Sequence, residues 1–215
     1  MLREVISNDL FTVAIILGLV FVTISKSMSP KRFNDFVAVL GNSKYLKIYA
    51  RDQKFFDLFD ALLFANYSIG LSVFGIITYN QLLSPIVLTP FFLSKLVLAI
   101  AILIVMKILI ERLLGSVFEI EFLTDNYLFQ KITYKNFIGL VLIPINFLLV
   151  FTIPISNTLI YILLGLIIII FCIGILTTVK THQNLIKQNL FYFILYLCAL
   201  EIAPYIILYA FVIDG

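Results

Sequence analysis

The sequence is short of charge and almost without the residues that hold metals. Of its 215 residues only 13% are Asp, Glu, Lys or Arg, and it contains one histidine and two cysteines. A soluble domain carries about 25% charged and about 45–50% apolar residues. Here 62% are hydrophobic and the mean hydropathy is +1.13. Such a chain has too little polar surface to cover a core in water, so the excess must face lipid. The lone His182 lies among Lys180, Thr181 and Gln183 in a short polar stretch. With no clustered cysteines beside it, neither a zinc or iron site nor any cofactor is expected. Cys172 and Cys198 fall inside apolar runs and read as two small buried hydrophobes rather than a disulfide. A net charge of +3 makes nucleic acid a poor partner.

Catalytic signatures are missing as well. The sequence has no H-E-x-x-H, no G-x-S-x-G and no P-loop. Asp57 and Asp60 lie at the edge of an apolar run and read as boundary residues, not as a pair of intramembrane catalytic acids. An enzyme is therefore the weakest functional class. No internal repeat links the two halves, and the breaks at Pro144 and Pro204 do not occupy corresponding positions, as an inverted-repeat carrier would often have them.

What the chain does have is long apolar runs. A helix needs about 20 apolar residues to cross the hydrocarbon core. Six segments meet or approach that length: 10–25, 58–79, 91–114, 137–155, 159–179 and 190–213. Each is apolar on all sides, as a membrane span is and a surface helix is not. None alternates with the period of a barrel strand. The expected fold is an all-α, polytopic membrane bundle of about six helices forming one domain over 1–215.

The basic residues orient it. Lys26, Lys31, Arg32, Lys44, Lys47, Arg51 and Lys54 fall between the first two runs. Arg112, Lys131 and Lys135 surround the third-to-fourth loop, and Lys180 and Lys187 lie in the fifth-to-sixth. The opposite side carries Arg3 alone. The positive-inside rule places the first group in the cytoplasm and both termini on the far, periplasmic side. The first run lacks a basic leader and a small-x-small cleavage site, which fits an uncleaved anchor. In the long basic loop 26–57, Phe33, Phe36, Val37 and Leu40 recur at helical spacing beside Lys31 and Arg32. This pattern predicts an amphipathic interfacial helix that meets anionic lipid headgroups. From Glu119 to Tyr134 acids and aromatics mix, and no face is clear.

Ionisable groups inside a membrane need a partner or a wet cavity, so each is a functional hypothesis. Glu201 lies midway along the sixth run, and Pro204 three residues on removes a helix donor beside it. Lys107 sits in an aliphatic stretch of the third run, with Glu111 on the same face four residues later. At ~1.5 Å per residue, Glu201, Asn146 and Asn66 come out roughly 13–18 Å from the cytoplasmic side, with Lys107 near that level. A Lys107–Glu201 pair supported by the two asparagines is the construction this spacing favours. It acts either as helix glue or as a transport or proton-relay site.

The stretch Phe193-Ile-Leu-Tyr-Leu-Cys-Ala-Leu-Glu-Ile-Ala-Pro204 resembles the C-terminal signature, F-x-I-L-Y-L-C-x-L-E-I-x-P, of a family of uncharacterised integral membrane proteins from Bacteroidota, a domain of unknown function. Lys107, Tyr127, Gly139 and Pro144 also fit that resemblance. It implies residence in the inner membrane of a Gram-negative envelope and implies no activity. The expectation is thus a non-enzymatic structural or accessory component of an envelope complex, with a membrane-protein partner. The rival is a small transporter or ion-coupled permease using Glu201, with Lys107 as counter-charge.

Overall fold

A computed structural model describes residues 9–42, 44–49, 57–83, 89–117 and 121–181. Among these residues the chain is all helix, with no strand: α1 (Asp9–Met28), α2 (Pro30–Val37), α3 (Lys44–Tyr49), α4 (Leu58–Leu82), α5 (Pro90–Val117), α6 (Glu121–Phe151) and α7 (Asn157–Thr181). Five of them, α1 and α4 to α7, are long and apolar enough to cross a membrane. The sixth expected span, 190–213, lies outside the described residues, and Cys198, Glu201 and Pro204 lie there with it.

Local chemistry sets the helix starts. Pro30 occupies the first turn of α2, where its missing N–H removes no intrahelical bond. Thr89 accepts the Phe92 N–H through its hydroxyl at 3.1 Å to open α5, and Ser156 accepts the Leu159 N–H at 3.3 Å to open α7. Asp57 stands at the N-cap of α4 but makes no capping bond, because its carboxylate turns to Arg32 instead.

At the centre of the bundle α4 and α6 run parallel, with residues 60, 67 and 70 of one meeting residues 136, 139 and 146 of the other. Their approach is close. A Cβ on Gly139 would stand 2.6 Å from the Tyr67 Cα, so only glycine lets these backbones meet. Helix α1 lies antiparallel on α4, and α5 lies antiparallel on α6. Gln81 at the end of α4 donates to Asn157 at the start of α7 at 2.9 Å, which sets α7 antiparallel to α4.

Helix α6 differs from the expected fourth span. It begins at Glu121 rather than at Phe137 and runs for 31 residues, about 46 Å at ~1.5 Å per residue. The added turns bury Thr124, Gln130, Thr133 and Asn136 alongside Tyr127, Leu128, Phe129 and Tyr134. A search for apolar runs passes over such a helix, because its inward face is partly polar. Cys172, expected among buried hydrophobes, is exposed on α7. That helix is apolar all round, so its sequence does not distinguish the inner face from the outer.

Candidate functional site

Two polar regions stand out. The first caps the end of the bundle nearest α2 and α3. Phe36 is fully buried and touches four rings: Phe33, Tyr45, Phe59 and Phe137, with centroids 5.6–6.3 Å away. Tyr45, also fully buried, stacks on Phe129 at 5.7 Å. The aromatic face expected along the basic loop is therefore divided. Phe33 and Phe36 turn onto the bundle, while Val37, Leu40 and Ile48 are exposed.

Arg32 is inserted into this cap. Its guanidinium pairs with Asp57 and with Asp60, the latter at 2.7 Å, and its Nε lies 3.4 Å from the Tyr45 hydroxyl. The plane stands over the Phe59 ring at 4.5 Å and near Tyr49 at 5.4 Å. Burial works against the charge on Arg32, but Asp60, Tyr45 and Asp57 outweigh it, and the guanidinium pKa is raised. Burial also raises the Tyr45 phenol, with the Asp60 carboxylate adding to it. Asn136 donates to the Asp60 carbonyl at 3.4 Å, and Lys44 pairs with Asp35 at 3.3 Å. Asp57 and Asp60 thus lock the basic segment to α4.

A second charge pair joins α5 to α6 at the same end. Glu111 is fully buried, and Lys131 meets its Oε1 at 2.7 Å. Arg112 pairs with Asp125 at 3.3 Å, and Ser116 donates to Glu121 at 2.6 Å. Glu111 therefore has its ion-pair partner on another helix, and Lys131 lies within a helix contact rather than in a loop. The sequence signal for this pair was a lysine and a glutamate near the facing ends of consecutive helices, which spacing within one helix does not reveal.

The second region is made of amides. Asn66 and Asn146 are buried and line one small cavity with Ala14, Ile15, Gly18, Gly70 and Ile143. Asn146 donates to the Gly70 carbonyl at 2.9 Å. Of the six sequence candidates the structure brings Asn66 and Asn146 together and places Glu111 with Lys131. Lys107 is half-buried on α5, and Glu201 and Pro204 are outside the described residues. Among the described residues no group of three His, Cys, Asp or Glu is arranged to hold a metal ion.

Over residues 11–212 the sequence matches the family described as a domain of unknown function, DUF4271. The chain belongs to that family. Neither the curated proteins nor the solved structures contain a match to it. As a DUF4271 member with five apolar helices of membrane-spanning length, the chain reads as a multi-pass membrane protein.

Proposed function

We propose that the chain is a non-enzymatic bundle of a bacterial inner membrane that supports or assembles with a larger envelope complex. The observation that carries this reading is that, among the described residues, both buried carboxylates are ion-paired across helices. Glu111 is held by Lys131 and Asp60 by Arg32, each pair bridging two different helices. Charges that line a pathway face a wet cavity, whereas charges used as struts face each other. On this reading both termini lie in the periplasm, and the basic residues Lys26, Lys31, Arg32 and Lys44 face the cytoplasm, as the positive-inside rule favours. There the exposed Val37, Leu40 and Ile48, with Lys31 and Lys44, rest on anionic lipid headgroups.

The test has two arms. Mild detergent extracts run on a native gel should show the chain in an assembly larger than itself, and migration as a monomer under every extraction condition rejects the accessory role. Glu201→Gln and Lys107→Met, singly and together, are followed by their abundance in membranes. Loss of each single variant with recovery of the double marks a structural pair. Normal abundance with the phenotype of a deletion favours the second reading, a small carrier in which Glu201 takes the proton and Lys107 balances it.

A further inference from the structure

Asn66 and Asn146 carry more polar capacity than the described protein satisfies. Asn66 is 1% exposed and neither its Oδ1 nor its Nδ2 meets a hydrogen-bonding group, and the Oδ1 of Asn146, also 1% exposed, is likewise unmatched. All three atoms belong to side chains that line the same cavity of about 10 Å³ between α1, α4 and α6. A buried amide left without a partner is costly, so a fold that keeps two of them on one cavity needs something between them.

We infer that this cavity is a binding site for one water molecule that bridges the carboxamides of Asn66 and Asn146. The size fits, since a single water needs roughly 10–15 Å³ and two to four polar partners. The valences fit as well. One water accepts from the Asn66 Nδ2, donates one proton to the Asn66 Oδ1 and donates the other to the Asn146 Oδ1. All three unmatched atoms are then used. The bond from the Asn146 Nδ2 to the Gly70 carbonyl fixes the orientation of that amide and turns its Oδ1 to the water, while exchanging the oxygen and nitrogen of Asn66 leaves the arrangement closed. A dehydrated cation does not fit, because hard cations take about six or more oxygens, and the lining residues include no carboxylate. Helix α1 packs along one side of the site. A Cβ on Gly18 would stand 2.7 Å from the Asn66 Oδ1, so α1 is pressed against that amide and fixes its position. The water then ties α4 to α6 at mid-depth, in addition to the direct bond from Asn146 to Gly70.

Asparagine and leucine are close in shape, and this makes the test sharp. In a dry cavity Asn66→Leu removes two unmatched polar atoms and should leave the melting temperature in detergent unchanged or raised. A bridged cavity predicts the reverse: N66L and N146L each lower it, and N66L/N146L lowers it by clearly less than the sum, since both changes remove one shared water. Additive shifts, or a stabilised N66L, overturn the inference. A high-resolution structure of the unaltered protein in a lipid phase decides the matter even where the variants do not accumulate. Density within hydrogen-bond distance of both carboxamides supports the water. A site without density, or one filled only when sodium is present, rejects it.

Discussion

Helices α4 and α5 have nearly the same length and are both apolar, yet they occupy opposite environments. In its most apolar stretch 61% of α4 is buried, against 6% of α5. The buried helix is the less hydrophobic of the two. It contributes Asn66, Ser68, Gly70 and Ser72 to the interior, with Ser68 and Ser72 bonded back to the carbonyls of Phe64 and Ser68. The exposed helix presents Leu98, Ile102, Leu103, Met106 and Leu113 outward. In water the ranking would be the other way round. Lipid tails are as apolar as leucine, so large aliphatics gain nothing by leaving them, whereas small and polar residues gain close approach and hydrogen bonds by facing inward.

Substitutions that interchange these two environments should separate them. The largest effect is expected for Gly139→Leu, which forces α6 off the Tyr67 backbone of α4. The protein should fail to yield a monodisperse peak on size exclusion, while the same change at Gly165, which has open space around it, should be tolerated. Next comes Glu111→Gln or Lys131→Met. Breaking one partner of a buried pair costs about 3–5 kcal/mol, and this should appear as a marked fall in melting temperature, with E111Q/K131M partly restored. At this site α5 is expected to behave like α4. Leu63→Ala and Leu103→Ala form the direct comparison. The first empties a fully buried site of α4 and should cost about 2–5 kcal/mol. The second trims a side chain on α5 that is 61% exposed and should change stability by about 0.5 kcal/mol or less. Equal losses from the two would show that the outer face of α5 is covered.

The smallest effect concerns the cap, which should titrate like an interior. The folded-state pKa of the Tyr45 phenol is raised, so its contribution is complete below the unfolded value of about 10 and is lost as pH rises through the folded one. Tyr45→Phe should therefore soften the decline in stability at alkaline pH, measured against the unaltered protein, and an identical decline would mean that Tyr45 is solvated.

Much of this architecture was legible in the sequence, because a bilayer makes length and apolarity decisive. The runs at 58–79 and 91–114 lie within α4 and α5. The early start of α6 was not legible, since Thr124, Gln130 and Asn136 look like loop residues until a polar interior is there to receive them. The cap was hidden for a similar reason. Arg32, Asp57 and Asp60 are separated by a long segment, and each had a sufficient explanation as a boundary or orienting charge. Asn66 and Asn146 were visible as polar residues in apolar runs. That they share one cavity depends on the crossing of α4 and α6, which Gly139 sets and no spacing rule foretells.

The antiparallel pairing of α5 and α6 also bears on how the chain enters the membrane. Helix α5 ends at Val117 and α6 begins at Glu121, so Glu111 and Lys131 belong to one tight hairpin. A lone buried charge on either helix is costly to carry into lipid, even towards the end of a span. Within the hairpin the two charges neutralise each other, so α5 and α6 are compatible with lipid as a pair to a degree that neither is alone.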